Sequence, residues 1–280
     1  MSTPDAEAAD HLDAIELDLL LEAIWRRYSY DFRHYARASL RRRVHGAMQK
    51  LGIERLSQLQ DVVLRDPSLF TQLITQISVP VSDFFRDPAY FVALRELVLP
   101  LLATYPSLKI WVAGCSTGEE AYSMAILLEE SGLLDRTLIY ATDINPAALR
   151  AAEEAVYPLS RVAGFTKNYQ AAGGTGSLAD YYTEAYDRVV FDRRLRERIT
   201  VSDHSLATDA AFAEVQFISC RNVLIYFDRQ LQERAIRLFH DALAPRGFLG
   251  IGARESLHGF RAASEFEVLA RDPRIYRRLV

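Results

Sequence analysis

The sequence is poor in cysteine, in long apolar runs and in net charge. Two cysteines among 280 residues are too few for a disulfide framework or a four-cysteine zinc site. No apolar run approaches membrane-spanning length, and the start, MSTPDAEAAD, lacks the apolar segment of a signal peptide. A formal charge of −4 gives no overall preference for nucleic acid. These absences predict a cytoplasmic globular protein with both cysteines, Cys115 and Cys220, in its core.

The common phosphate-binding motifs are also absent. Residues 109–123 have the sequence KIWVAGCSTGEEAYS, which predicts a buried strand, a turn of small residues, and a helix that begins at Glu119. The turn matches neither G-x-G-x-x-G nor G-x-x-x-x-G-K-[ST], so it does not indicate a pyrophosphate or triphosphate site. Small turn residues nevertheless let a ligand approach the backbone, and the helix start offers unpaired N–H groups.

An acidic residue follows the next strand. Residues 137–142 form this second predicted strand, and Asp143 lies directly after it, where a Rossmann-like βαβ unit holds ribose hydroxyls. Asn145 and Pro146 have the residue types of a helix N-cap and first turn. Because Asn145 already serves as the cap, we interpret Asp143 as a ligand-binding residue. Strand, turn, helix and acid together predict a nucleotide-type ligand.

Residues 11–77 show helical periodicity only. Their apolar stripes predict a small domain of three or four short helices. Its charge is divided between an acidic first helix and a basic second one: Asp13, Glu16, Asp18 and Glu22, against Arg33, Arg37, Arg41, Arg42, Arg43 and Lys50. The basic group is either a solvated helix face or a docking surface for an acidic partner, protein or nucleic acid.

Residues 78–90 form a predicted linker. Pro80 breaks any helix there, and Asp87 with Pro88 has the residue types that cap the next helix, which Pro100 should kink. Two phenylalanines directly precede Arg86. An arginine held near apolar side chains usually has a specific anionic partner, so Arg86 is a candidate site residue.

Residues 91–280 alternate strands with helices, which predicts a doubly wound, mostly parallel α/β sheet. We interpret about residues 160–200 as an insertion, and the pattern of residues 187–201 predicts a small antiparallel hairpin. The next strand ends at Arg221 and Asn222, and a polar pair at this edge indicates ligand contact rather than a simple capped turn. After it the pattern predicts a helix capped by Asp228, a turn at 245–247, a strand at 248–252, and a closing hairpin of 266–269 with 275–279.

Five segments of the chain, taken in order, resemble one known family. They are SDFFRD, WVAGCSTGEEAYS, ATDIN, ISCRNVLIYFD and APRGFLGIGARES, and they follow a basic helical domain. This combination resembles the CheR-type chemotaxis-receptor methyltransferases, and the resemblance extends from Tyr30 onward. It implies the class I fold of S-adenosylmethionine-dependent methyltransferases. It also implies transfer of a methyl group from that cofactor to receptor glutamates, with S-adenosylhomocysteine as the product.

The resemblance also implies roles for individual residues. Arg86 and Tyr226 would lie at the reacting centre, and Asp143 would bind the ribose hydroxyls. The implied cofactor-binding set is Ser82, Arg86, Gly114, Glu120, Asp143, Ser205, Leu206, Arg221 and Asn222. A glutamate carboxylate, with an ordinary pKa of about 4.3, is already ionised at neutral pH and needs no general base. His204 is therefore expected to be a packing or pocket-wall residue.

The sequence departs from the family pattern at several positions. Pro80, Val81 and Ser82 replace the usual Asn-x-Thr, and Ser205 replaces an asparagine, so side-chain contacts to the cofactor should change there. Arg254 and Glu255 stand where Ser-Glu is usual. The predicted hairpin lacks the glycines of members that bind a receptor's C-terminal peptide. We therefore expect no such tethering.

Two alternative functions remain open from the sequence. A nucleic-acid methyltransferase would use the same arginines, but the expected [N/D]-P-P-[Y/F] turn is replaced by Arg221 and Asn222. A cofactor-binding sensor or scaffold without turnover would explain the departures. For the main hypothesis we expect a monomer without metal, nucleic acid or membrane insertion. Its partner would be acidic receptor helices, docked on the basic helix that carries Arg37, Arg41, Arg42 and Arg43.

Overall fold

The computed structural model describes residues 4–78 and 81–279, so the predicted helix break at Pro80 lies outside the described residues. The first part of the chain is helical. Its helices are α1 (Pro4–Tyr28), α2 (Arg37–Leu51), α3 (Leu56–Arg65) and α4 (Pro67–Ile77). α1 has 25 residues and is much longer than expected. The three predicted apolar stripes meet in one buried cluster, which includes Leu20, Val44 and Leu73.

The second part begins with an irregular helix. α5 (Pro88–Ala93) continues through a π-helical turn (Leu94–Val98) into α6 (Leu99–Leu102). The backbone N–H of Leu99 bonds to the carbonyl of Leu94, so the expected distortion near Pro100 takes the form of a π-helical turn. Asp87 does not cap α5 through its side chain, contrary to the prediction, because its carboxylate is bound by Arg221 instead.

The remaining elements alternate as predicted. They are β1 (Leu108–Ala113), α7 (Glu119–Glu130), β2 (Thr137–Asp143), α8 (Pro146–Glu154), β3 (Val156–Pro158), α9 (Val162–Ala171), β4 (Tyr182–Ala185), β5 (Arg188–Phe191), α10 (Arg193–Arg196), β6 (Ile199–Asp203), β7 (Val215–Cys220), α11 (Arg229–Ala242), β8 (Leu243–Ile251), β9 (Phe266–Ala270) and β10 (Ile275–Arg278). Asn145 and Asp228 cap α8 and α11 with their side chains, as predicted.

The main sheet has the strand order β6-β2-β1-β7-β8-β10-β9. The first five strands are parallel, and β10 pairs antiparallel with β8 and β9, which confirms the predicted fold class and the closing hairpin. Alternate residues of β1 point to opposite faces: Ile110 and Val112 join one buried cluster, and Trp111 and Ala113 join the other. The sheet is therefore covered on both faces.

A small antiparallel sheet of β3, β5 and β4 lies between β2 and β6 in the chain. The predicted small antiparallel insertion is present, but its hairpin is β4–β5 rather than the one expected within residues 187–201. Residues 199–203 form β6 and pair with β2 in the main sheet, where Ile199 lies beside Ile139.

The predicted turn at 245–247 is an irregularity inside β8, where the register against β7 shifts and Arg246 adopts a left-handed backbone.

Both cysteines are buried and unpaired, as predicted. Within the described ranges, no helix combines the length and apolar character that crossing a bilayer requires.

Candidate active site

A cavity of about 280 Å³ opens at the carboxyl ends of β1, β2 and β7. The chain leaves β1 for β2 on one side and returns to β7 on the other, so this edge is the topological switch point of the sheet. The cavity brings together nine of the predicted cofactor and catalytic residues: Ser82, Arg86, Gly114, Glu120, Asp143, Leu206, Arg221, Asn222 and Tyr226. Ser205 is not among the lining residues, because its backbone N–H turns to the carboxylate of Asp209, 2.8 Å away.

The turn after β1 can be built only with small residues. Gly114 has a φ of +73°, and a Cβ there would lie 2.4 Å from Val223 Cγ2. Gly118 has a φ of +94°, and its Cβ would meet the Cβ of Ala152 at 2.9 Å. The backbone of the turn thus packs directly against Val223 at Gly114 and against Ala152 at Gly118, with no room for a side chain at either position.

Asp143 is held by backbone donors. Its carboxylate accepts hydrogen bonds from the N–H groups of Ser116 and Asn145, each at 2.9 Å. Burial raises the pKa of Asp143, and these N–H groups oppose the rise. The contacts fix the carboxylate between the β1 turn and the start of α8, at the cavity wall where the sequence predicted a ribose-binding acid.

Glu120 and Arg221 form an ion pair behind this wall. Glu120 Oε2 accepts from Arg221 Nη1 at 3.0 Å, and Oε1 accepts from the Ser219 hydroxyl at 2.6 Å. The Arg221 side chain is 1% exposed, and its guanidinium lies 4.2 Å from the ring centroid of Tyr90. Arg221 thus lines the cavity with a nearly covered side chain, and its predicted contact with the cofactor stays a prediction.

Arg86 lines the cavity without an acidic neighbour. In the described part of the chain no carboxylate lies within 4 Å of its side chain. Its guanidinium makes a long hydrogen bond of 3.3 Å to the carbonyl of Val81. The anionic partner expected for Arg86 is therefore not a protein carboxylate of the described residues.

The helical domain supplies one wall of the cavity. The Arg43 guanidinium lies 4.5 Å from the ring centroid of Tyr226 and donates to the carbonyl of Ile77 at 2.9 Å. The Ala36 N–H donates to the Tyr226 carbonyl at 2.7 Å. Burial lowers the pKa of Arg43. Tyr35, Ile77 and Ser78 also line the cavity, and the sequence carried no signal for them because their placement depends on how the two domains pack.

The basic group of α2 is only partly available. Arg37 pairs with Asp18 at 2.5 Å, and Arg41 pairs with Asp10 and Asp13 at 2.5 and 2.6 Å. The charges of Arg37 and Arg41 are therefore partly neutralised by α1, and the predicted docking of a partner on α2 stays a prediction. Arg42 is exposed and has no ion pair among the described residues.

His204 lies at the cavity wall, as predicted. It is 7% exposed and packs edge-on against Trp111, with ring centroids 5.1 Å apart. Its Nε2 lies 3.1 Å from the carbonyl of Ala210, which only a protonated nitrogen can satisfy. The ring is thus held in place by packing and by one backbone contact.

These residues fit an adenosyl cofactor. Asp143 and Glu120 place carboxylates in the cavity, and Ile144, Ala148 and Leu206 add apolar surface for a base. A larger residue at position 114 would collide with Val223, which also lines the cavity. Asp143 would hold the ribose hydroxyls, and the remaining lining would surround the amino-acid end.

Comparison with known proteins agrees with this site. Residues 15–78 match the family model described as "CheR methyltransferase, all-alpha domain", and residues 80–273 match "CheR methyltransferase, SAM binding domain". Cher3 of Pseudomonas putida is 51% identical over 94% of this chain and 97% of its own length. A chemotaxis protein methyltransferase of Listeria monocytogenes is 29% identical over 81% of this chain and 84% of its own. A 104.1 kDa uncharacterized protein of Rhodobacter capsulatus is 31% identical over 98% of this chain, which spans 29% of that protein.

Proposed function

The chain belongs to the CheR methyltransferase family, and from that premise we propose how its cavity methylates glutamate side chains of chemotaxis receptors with S-adenosylmethionine. The cofactor supplies a methyl group on a sulfonium sulfur, which a carboxylate takes to give a methyl ester and S-adenosylhomocysteine. The substrate carboxylate is already ionised at neutral pH. The protein therefore has to orient that carboxylate and exclude water rather than remove a proton.

One observation supports this role above the others. Arg43 and Arg86 line the cavity beside Tyr226, and neither has a carboxylate within 4 Å among the described residues. An arginine without an anionic partner in a partly buried site favours the entry of an anion. We assign this place to the substrate glutamate, with Arg86 and Tyr226 next to the transferred methyl.

The cofactor is assigned to the opposite side of the cavity. Asp143 would bind the ribose hydroxyls, and the methionine part of the cofactor would lie against the Gly114 turn. Glu120 keeps its position through Ser219 and Arg221 and presents its carboxylate at the same edge. Ser82 and Asn222 would complete the enclosure.

We assign the receptor helix that carries the substrate glutamate to the part of α2 around Arg42 and Arg43, beside the cavity. Arg42 is exposed there, and Arg43 reaches Tyr226, whereas Arg37 and Arg41 are paired with α1. These pairs also neutralise two of the arginines that motivated the nucleic-acid alternative. In this proposal residues 11–77 form the docking domain, 78–90 the linker and 91–280 the catalytic domain of a cytoplasmic monomer.

Transfer to receptors is tested with labelled methyl groups. We expect label from S-adenosylmethionine to enter receptor-containing membranes and to be released by base as methanol, which identifies a methyl ester. Absence of base-labile label with every candidate receptor would contradict the assignment. Binding of the cofactor without any transfer would instead support a sensor or scaffold.

The cofactor site is tested separately by calorimetry with S-adenosylhomocysteine. Micromolar binding, about −8 kcal/mol, is expected for the wild type and should be lost in Asp143→Ala. Asp135→Ala is a suitable control, because Asp135 is 94% exposed and pairs only with Arg198. Equal affinity in wild type and Asp143→Ala would overturn the ribose assignment.

A further inference from the structure

The short turn that presents Arg86 has an unusual backbone. Phe85 has a φ of +49° and Asp87 a φ of +55°, so two non-glycine residues in the left-handed region flank Arg86. Side chains disfavour this conformation, and it persists only where surrounding contacts hold it. Residues 85–87 of the linker thus form a strained turn, and Arg86 is the member of this turn that lines the cavity.

Two buried groups hold the turn from the catalytic domain. On one side, the Phe85 N–H donates to the Ser123 hydroxyl at 2.9 Å, and the Phe85 ring is fully buried. On the other side, Arg221 Nη2 donates to the Arg86 carbonyl at 2.6 Å and to the Asp87 carboxylate at 2.8 Å. The second contact replaces the capping bond that Asp87 does not make to α5.

Arg221 connects this turn to the cofactor side of the cavity. Its Nη1 binds Glu120, its Nη2 binds the turn, and its flat face covers Tyr90. A lysine could not replace these contacts, because its donors all sit on one nitrogen, whereas Nη1 and Nη2 of the planar guanidinium reach Glu120 and the turn from two separate positions.

We propose that Arg221 and Asp87 are positioning residues that hold the strained turn so that Arg86 faces the cavity, which rests on the function proposed above for Arg86. Arg221 then has a different role from the cofactor contact that the sequence suggested. Asp87 was assigned only a capping role from the sequence. Their joint effect is on the orientation of Arg86 and hence on the chemical step.

Asp87→Asn tests the proposal without opening the core. The Asp87 side chain is 52% exposed, so this change removes a charge but leaves packing intact. Asparagine also tolerates the left-handed backbone. We expect kcat to fall about tenfold while the Kd for S-adenosylhomocysteine changes less than about twofold. The matched control is Asp135→Asn, which breaks an exposed Asp–Arg pair 3.1 Å long and should alter neither value.

A second measurement does not depend on turnover. Hydrogen exchange of the peptide covering residues 82–88 should become faster in Asp87→Asn and in Arg221→Lys, and stay unchanged in Asp135→Asn. If the wild type neither binds S-adenosylhomocysteine nor transfers methyl, the proposed function fails, while the exchange rates still decide whether the turn is held as described.

Three outcomes would overturn the positioning role. Unchanged kcat in Asp87→Asn would show that Arg86 needs no such support. A rise in the Kd for S-adenosylhomocysteine equal to the fall in kcat would make Arg221 and Asp87 part of cofactor binding. Unchanged exchange over residues 82–88 would show that the turn is held by Ser123 and Phe85 alone.

Discussion

The helical domain and the cavity use arginine in opposite ways. On α2, Arg37 and Arg41 are neutralised by acids of α1, whereas Arg43, two residues further on, and Arg86 face the cavity with no carboxylate partner among the described residues. Two residues correspond to about 200° around a helix, so Arg41 and Arg43 lie on different faces. A cluster of arginines in a sequence therefore does not show which of their charges remain available.

The carboxylates of the two regions differ as well. Hydrogen bonds from Arg33 lower the pKa of Asp31 in the helical domain. At the cavity edge, burial raises the pKa of Asp143 and of Glu255, although backbone N–H groups oppose the rise in both. The environment of Asp31 thus favours the charged form, and burial of Asp143 and Glu255 favours the neutral form.

Among the substitutions that test this difference between the two regions, Arg86→Ala should have the largest effect on methyl transfer. Loss of an unpaired cavity arginine beside the reacting centre should lower kcat by about 10²–10³-fold, with a smaller change in the Kd for S-adenosylhomocysteine. Single-turnover methylation of receptor membranes measures it. Arg136→Ala, which removes an exposed arginine bound to the carbonyls of Ala103 and Tyr105, serves as the control. Normal turnover in Arg86→Ala would place the substrate carboxylate elsewhere.

Arg43→Ala should give an intermediate effect. It removes the guanidinium over Tyr226 and one wall of the cavity, so we expect kcat/KM for the receptor to fall about tenfold or more. The matched variant is Arg41→Ala, on the same helix but paired with α1. Steady-state kinetics with varied receptor concentration measures kcat/KM for both variants. Equal losses in both variants would show that the whole basic face, rather than its cavity end, binds the receptor.

The pH dependence of stability should separate the two kinds of carboxylate. The pKa of Asp31 is lowered, so its contribution is present above its unfolded pKa and is lost as pH falls through the folded one. The pKa of Asp143 is raised, so the folded state takes up the proton first and gains stability as pH falls. Melting curves should show stability relative to Asp143→Asn growing as pH falls towards about 4, and the wild-type advantage over Asp31→Asn shrinking mainly below about pH 4, by a few degrees at most. Parallel trends in both variants would contradict the difference in pKa directions.

Arg41→Ala should have the smallest effect on the fold. Ion pairs of exposed side chains stabilise a fold only weakly, so the loss of its pairs with Asp10 and Asp13 should lower Tm by a few degrees or less. Thermal melts at low and high salt measure it, and the difference should shrink at high salt. A loss much larger than this would mean that the α1–α2 pairing carries the stability of the domain.

Local features were predictable because short-range chemistry decides them. The extent of β7, the caps at Asn145 and Asp228, and the small residues of the turn after β1 follow from apolar runs, capping side chains and left-handed glycines. Residues up to Val201 were expected to pair within the antiparallel insertion, and their parallel pairing with β2 was missed because it joins distant parts of the chain, such as Ile139 and Ile199. The role of Asp87 was missed for the same reason, since its partner Arg221 lies 134 residues further along the chain.

The sequence alone determined the fold class, the switch-point edge and nine of the residues that line the cavity, since strand–turn–helix patterning places many of them at the carboxyl ends of strands. Only the tertiary structure decided which charges stay available. The packing of α2 on α1 neutralises Arg37 and Arg41, and the docking of the helical domain brings Arg43 to Tyr226. The burial of Arg221 makes it a partner of Glu120 and Asp87. Electrostatic energies depend on distance and burial, and neither quantity is encoded by any local stretch of sequence.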